Sequence, residues 1–571
     1  MYLVYGVMLY IIFLLLVLSR KRVSKIYFIL LGISPLILFY ILSPNNRIYS
    51  YHGFMHTGIV YEILNKKYPL SNPLLGGQPL FYYWGYHYLA AWVSRIFNIT
   101  PFYSFSFISI ISLSLSLVLA YKISSLLIKD ERSNLFSALI SIFGITVFGQ
   151  YLLMEYQYLS RELFPSRILY IKNIPLFGKF ASITGDVIGF VSFLLFCYSI
   201  IRIFKEKKYA FYMISFLISI LCCGFFYPGM LFGIAASTIS VCLVMLFRKE
   251  GHLSINLRKA VLMLILLSTG ILILRPYISS ISLGVRENIQ FFKFKASIIS
   301  IIRYLIVSLP ILTLIHINRK EMNGRLDREA MIILLTIIST TSCIYILIHL
   351  PWDNEYKFLM LSVLNLGIIG GIAFGTMSRW RNNFAVFILL FLFLNPSYYD
   401  TQAKIARLKN IPNICIEKGR YVYHIDKEEN ELHRWIRKNT SPDSIFVDSE
   451  LTIPVFAHRD LFIGIGSEEN GEKNLGYSVP IKDILLACGY DYNLIEKRRR
   501  IVKGIYDTTQ KSLDKETEDF FSLNKDIYIV VRKRAIESKF NQDRFDRVFK
   551  SAEGNLLVYK PKNTGYSQRG L

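Results

Sequence analysis

His52 and His56 stand one helical turn apart, and Glu62 follows in the same apolar-periodic stretch. His87 falls on a second such stretch, within the tyrosine cluster Tyr82, Tyr83, Tyr86 and Tyr88. Imidazoles and a carboxylate in this pattern can take a proton from a hydroxyl or ligate a divalent metal. Interfacial histidines that only hydrogen-bond at a polar–apolar boundary use the same residue types. The tyrosines read either as an interfacial belt or as a stacking surface for a sugar. A second acid-and-base group, Asp353, Glu355 and Lys357, occupies a short connection between two apolar blocks, where a local ion pair is the simpler reading. Cations recur in other connections: Arg161, Arg167, Lys172 and Lys179, then Arg275, Arg286, Lys293 and Lys295. Singly, each can snorkel to the headgroup level; together they could receive a phosphate. The elements that must position the first group are a helix over 51–64, a Pro/Gly/Asn-rich turn over 68–79 and an aromatic helix over 81–97.

The rest of the chain sets these elements beside a membrane. Of 571 residues, 53% are hydrophobic and 18% charged, with a mean hydropathy of +0.40. A soluble chain carries charge at about a quarter of its positions, so disordered, disulfide-stapled and ordinary cytosolic classes are excluded. Apolar blocks fall at 2–18, 26–43, 103–127, 134–153, 187–203, 209–226, 229–247, 259–274, 297–317, 330–350, 359–377 and 383–397. A span needs roughly 20 residues, which makes about twelve transmembrane helices. The blocks flanking Tyr227-Pro228-Gly229 could also form one broken helix. Basic residues follow the first block instead of preceding it, unlike a cleaved signal peptide.

The net charge of +25 lies largely in short clusters between these blocks, so nucleic acid is not an expected partner. By the positive-inside rule, alternate short basic connections are cytoplasmic. The N-terminus, residues 44–102, 154–186, 275–296 and 351–358, and everything after about 398 are then outside. The tail reads as an α/β domain, with a helix at 431–437, strands at 444–448, 526–532 and 555–560, and a helical stretch over 480–506. The run Lys497-Arg498-Arg499-Arg500 reads as a solvated helix face or as a contact for anionic headgroups. Cys415 and Cys488 could pair in an oxidising compartment. The tail shows no glycine-rich phosphate loop, nucleophile elbow or zinc spacing.

The span pattern, the long first outer loop with two interfacial helices and the outer tail resemble the GT-C superfamily of polytopic membrane glycosyltransferases. Tyr51–Trp92 is similar to the first loop of GT-C-like prokaryotic proteins. It has a histidine near the start, the turn Pro69, Asn72, Pro73, the element Gly77, Leu80, and a tyrosine-rich helix. AspAsnGluTyrLysPhe at 353–358 is a second likeness. One departure stands out. Such enzymes place an aspartate early in this loop, whereas residues 44–102 hold no aspartate and Glu62 is their single acid.

The expectation is an α-helical polytopic protein of the cell membrane, GT-C-like over 1–397 with the long loop at 44–102. A C-terminal extracytoplasmic α/β domain follows over 398–571. The resemblance implies transfer of a sugar from a polyprenyl-phosphate donor lipid, among membrane lipids, to a glycan, lipid or protein acceptor. No cofactor is required by the residues; a divalent metal is the one such group they could take. Expected catalytic residues are His52, His56, Glu62 and Asp353. Expected substrate-binding residues are Tyr82, Tyr83, His87, Arg161, Arg167, Arg275, Arg286, Glu355 and Lys357. The competing reading is a transporter or flippase of lipid-linked or polar solutes, or a non-catalytic assembly protein. The near absence of charge inside the spans weighs against an ion-coupled carrier.

Overall fold

The structure is a computed structural model. It describes residues 51–65, 70–144, 180, 185–248, 253–282, 290–291, 294–349, 355–377, 414–417, 420–423, 425–448, 450–464, 485–486, 488–506, 512–523, 526–532, 537, 539–540 and 543–562. In chain order, α1 (Tyr51–Asn65), β1 (Ser71–Asn72), β2 (Leu75–Pro79) and α2 (Gly85–Phe97) form the first loop. The helices α3 (Pro101–Leu127), α4 (Glu131–Leu139), α5 (Asp186–Lys205), α6 (Ala210–Phe226), α7 (Leu231–Phe247) and α8 (Leu253–Ser282) follow. After β3 (Gln290–Phe291) come α9 (Phe294–Met322), α10 (Arg328–Leu347), β4 (Ile348–His349) and α11 (Tyr356–Gly375). The tail holds β5 (Ile414–Glu417), β6 (Arg420–Tyr423), α12 (Lys427–Asn439), β7 (Ile445–Val447) and β8 (Asp460–Leu461). It continues with α13 (Tyr492–Tyr506), α14 (Lys515–Leu523), β9 (Ile527–Val531), β10 (Phe545–Lys550) and β11 (Leu557–Pro561).

Chain contacts group the described residues of Ser106–Ser279 and Glu287–Ala403 into one compact unit, and those of Ser43–Phe105 and Lys404–Leu571 into another. Among the described residues, six helices are long and apolar enough to cross a membrane. A seventh candidate is the pair Ser297–Leu309 and Ile311–Met322, bent by 50° where Pro310 interrupts the hydrogen-bond ladder. The expected spans at 2–18, 26–43 and 383–397 lie outside the described residues. So does 145–153 of the block at 134–153, whose described part is α4 and a short π-helical turn to Gly144.

In the helical unit the apolar window of α11 is wholly buried, whereas that of α8 is 33% buried, so α11 is the centre and α8 the rim. Small residues make the centre possible. A Cβ on Gly371 would come within 2.3 Å of the Ser137 backbone nitrogen, and one on Gly375 within 2.8 Å of the Ser133 nitrogen. Two glycines one turn apart thus lie directly on two serines one turn apart, the close approach that apolar helices use to gain dispersion contacts. Pro228 breaks α6 from α7 with a single 3-10 turn. At one end, Lys205 and Asp327 pair at 2.5 Å while the Asp327 amide donates to Leu127 O.

The other unit is an α/β fold around a five-stranded sheet of order β10-β11-β9-β7-β8. Strand β7 is parallel to both β8 and β9, while β11 is antiparallel to β9 and β10. Its core is shared with the first loop: Phe54, Ile59, Leu74 and Leu75 pack in one cluster with Leu432, Phe446, Leu461 and Ile529. The 73–74 turn of the loop hydrogen-bonds β8 and its exit, through Leu461 N to Pro73 O and Gly464 N to Leu74 O. The 480–506 helix expected from sequence is shorter. Gly489 takes a left-handed conformation (φ 89) and Asp491 accepts from Leu494 N, so the helix begins at Tyr492. Cys488 is a free, half-buried thiol, pushed up to about 12 by burial, in place of the disulfide considered above.

Candidate functional site

Helix α1 is buried throughout 53–60; its Phe54, Met55 and Ile59 pack into the core of the α/β unit, while His56 meets α2. Helix α2 follows Trp84 and buries Tyr86, His87, Ala90 and Ala91. The two helices pack side by side and bring His56 Nδ1 to 2.5 Å from His87 Nε2. The ring planes lie within 12° of parallel with centroids 4.8 Å apart, end to end through this contact, and both residues are fully buried. One nitrogen of this contact donates and the other accepts. A doubly protonated pair would set N–H against N–H, so the two imidazoles act as one proton-holding unit. Tyr82 stands edge-on to both rings at 5.7 and 5.8 Å. It also stacks on Tyr83 at 4.2 Å, their hydroxyls 2.9 Å apart, and both tyrosines are half-buried.

Glu62 sits in a separate node. Its Oε1 accepts from Ser71 N at 3.1 Å and Ser71 Oγ at 2.5 Å, and the same hydroxyl lies 2.7 Å from Asp460 Oδ2. Both carboxyl groups belong to buried residues. A hydroxyl has one proton, so it can donate to one of the two acids at a time. Asp460 was not among the sequence candidates, because its link to the loop is purely tertiary. Nearby, Tyr61 stacks on His458 with centroids 3.9 Å apart, and His458 is held at a left-handed φ of 59. Burial, with Arg437 and Arg459 beside it, lowers the His458 imidazole to about 4, so it is neutral at physiological pH.

The loop is fixed from the tail by Tyr490. Its hydroxyl accepts from Asn72 Nδ2 at 2.9 Å and Phe81 N at 3.1 Å and donates to Pro79 O at 2.6 Å. These bonds hold the backbone just ahead of Tyr82 and Tyr83.

The remaining candidates are distributed differently. Glu355 is buried at the start of α11, 3.7 Å from His349 Nδ1, while His349 Nε2 is 3.2 Å from Ser297 Oγ. The Lys357 ammonium lies 4.8 Å over the Tyr227 ring, and Arg275 is exposed on α8. These three belong to the helical unit and not to the His56–His87 group. Asp353, Arg161, Arg167 and Arg286 lie outside the described residues, and His52 is described only as a backbone position in α1.

Among the described residues no three His, Cys, Asp or Glu side chains converge on one point.

No protein-family model matches the sequence, and no curated protein matches it. Among solved structures, the chain is similar to ArnT from Cupriavidus metallidurans bound to undecaprenyl phosphate. The TM-score is 0.52 at 10% identity, over 95% of this chain and 99% of that one. It is also similar to the arabinofuranosyltransferase AftD from Mycobacteria, with a TM-score of 0.55 at 10% identity. That match covers 95% of this chain and only 40% of AftD.

Proposed function

The chain has the fold of the GT-C superfamily of membrane glycosyltransferases, and from that premise we propose that it transfers a sugar from a polyprenyl-phosphate-linked donor to an acceptor hydroxyl at the outer face of the cell membrane. The observation that carries this reading is end-to-end similarity to ArnT, a protein seen with undecaprenyl phosphate bound, over nearly the whole of both chains.

The reaction needs a base for the acceptor hydroxyl and cations for the departing phosphate. The His56–His87 pair is the base in this proposal. A proton taken by one imidazole passes across the 2.5 Å contact to the other, so the unit supplies what the absent first-loop aspartate would. Both rings are buried, so the half-buried Tyr82–Tyr83 pair is the gate through which the acceptor approaches, and its ring faces suit a sugar. The Glu62–Ser71–Asp460 node then keeps α1 in place. Arg161, Arg167, Arg275, Arg286 and Lys357 are the cations proposed for phosphate, and Asp353 and Glu355 are further proposed acids. His52 is a second histidine for the same role on α1. The domain division 1–397 and 398–571, with the tail outside, completes the proposal.

The test is transfer from a panel of polyprenyl-phosphate sugars by the protein in nanodiscs, with His56→Gln and His87→Gln beside wild type. Loss of a general base lowers turnover by about 10²–10⁴-fold. Full activity in the double variant removes the pair from the chemistry. No stabilisation of the folded protein by polyprenyl phosphate, together with no transfer, turns the reading to a carrier.

A further inference from the structure

The basic run at 497–500 is not a uniform solvated face. On α13 the buried residues are Ile495, Ile501, Val502 and Ile505, and Arg498 falls on that stripe by helical spacing. Its guanidinium lies 4.6 Å over the Phe462 ring, and Nη1 donates to Gly76 O at 2.8 Å and Phe462 O at 2.6 Å. Those two bonds use both Nη1 protons. Among the described residues, Nε and Nη2 make no hydrogen bond and no carboxylate pairs with the group, whereas the adjacent Arg499 pairs with Glu496 at 3.1 Å. Burial lowers Arg498 to about 10, so it stays cationic at neutral pH. The residue is half-buried and not fully enclosed among the described residues. The edge left over, Nε with Nη2, presents two parallel N–H bonds, the geometry that receives two oxygens of one anion.

We propose that the Nε/Nη2 edge of Arg498 is an oxyanion site that takes a phosphate group. Pinning by two carbonyls and a ring face pre-organises the fork, so little side-chain entropy remains to be lost on binding. The assignment does not depend on the transferase reading. The same chemistry is offered by soluble phosphate and by a phospholipid headgroup.

The test uses the full chain in phosphatidylcholine nanodiscs, treated with an arginine-specific dicarbonyl and read peptide by peptide, with exposed Arg500 as internal reference. One arm adds inorganic phosphate against chloride of equal ionic strength; the other adds phosphatidylglycerol to the discs. Protection of Arg498 beyond that of Arg500 in the first arm assigns soluble phosphate, and in the second arm alone a headgroup. Arg498→Lys, which keeps the charge and loses the fork, weakens binding by about tenfold. Equal labelling of Arg498 in every condition, or equal protection of Arg498 and Arg500, overturns the proposal, and neither result depends on a variant that must fold.

Discussion

Replacing Tyr490 by Phe tests whether the tail positions the first loop. The change removes one oxygen and keeps the ring, which stacks on Phe81 at a centroid distance of 5.0 Å. Three bonds go with that oxygen: to Pro79 O, from Asn72 Nδ2 and from Phe81 N. A neutral hydrogen bond contributes about 1 kcal/mol net, and a buried group left unpaired costs about 1–3 kcal/mol. With water recovering part of the loss, the local cost is about 2–4 kcal/mol. At about 1.4 kcal/mol per tenfold, opening of the 70–83 segment becomes roughly 30- to 1000-fold more frequent. Hydrogen exchange read by mass spectrometry at Leu80 and Phe81 reports this directly, with α12 as an unaffected reference. Burial raises the Tyr490 phenol to about 12, above its ordinary value. Its neutral, donating form therefore persists at neutral pH, and the contribution fades only as pH rises from about 10 toward 12. Unchanged exchange at Leu80 and Phe81 in a folded Tyr490→Phe protein would refute the clamp, and with it the argument that α13 and its approach hold Tyr82 and Tyr83.

Three further outcomes are expected. Gly371→Ala forces α11 off α4, because the new Cβ meets the Ser137 backbone, so overpacking of about 1–3 kcal/mol or more should lower the detergent melting temperature and the folded yield. Arg532→Met strands Asp448 and Glu429, which Arg532 now holds at 2.7 and 2.8 Å, and should cost the α/β unit about 3–5 kcal/mol in thermal unfolding; adding Asp448→Leu recovers part of it. Burial lowers His433 to about 3 and His458 to about 4, so unfolded chains take up protons near pH 6.5 that the folded chain refuses. Their contribution to stability is complete above pH 6.5 and falls as pH drops toward 4, by about 2 kcal/mol for each histidine at pH 5. A melting temperature constant from pH 7 to 5 contradicts this, and His433→Leu should flatten the slope.

The membrane helices were legible because a bilayer imposes a length and a composition that few other environments impose. The block at 187–203 appears as Asp186–Lys205, and that at 330–350 as Arg328–Leu347. Strand β10 was not legible: PheAspArgValPheLys buries one residue fully and leaves most of the rest to solvent, so it shows little of the apolar run that marks a strand. By sequence the 71–79 hairpin reads as a turn, because its strands carry Leu, Gly, Gln and Pro without β-branched residues. What makes it a hairpin is the partner beneath it, since Gly76 lies so close to β8 that a Cβ there would meet Asp460 Cβ at 2.9 Å.

The candidate site divides along the same line. Helical spacing correctly put His56 and Glu62 on one element, and an aromatic helix was expected to carry His87. Spacing along a helix says nothing about which neighbour a side chain faces across helices. His56 meets His87, 31 residues away, while Phe54, Met55 and Ile59 of the same helix pack into the core of the α/β unit. The link between the loop and Asp460 was not legible, since no spacing rule joins positions 389 residues apart. In the folded chain Asp460, at the start of β8, reaches the Ser71 hydroxyl that Glu62 also holds. A first loop that borrows its second acid from the tail can assemble its polar groups only once β8 has formed. The first loop and the α/β fold are in that sense one folding problem, although the helices of the other unit lie between them in sequence.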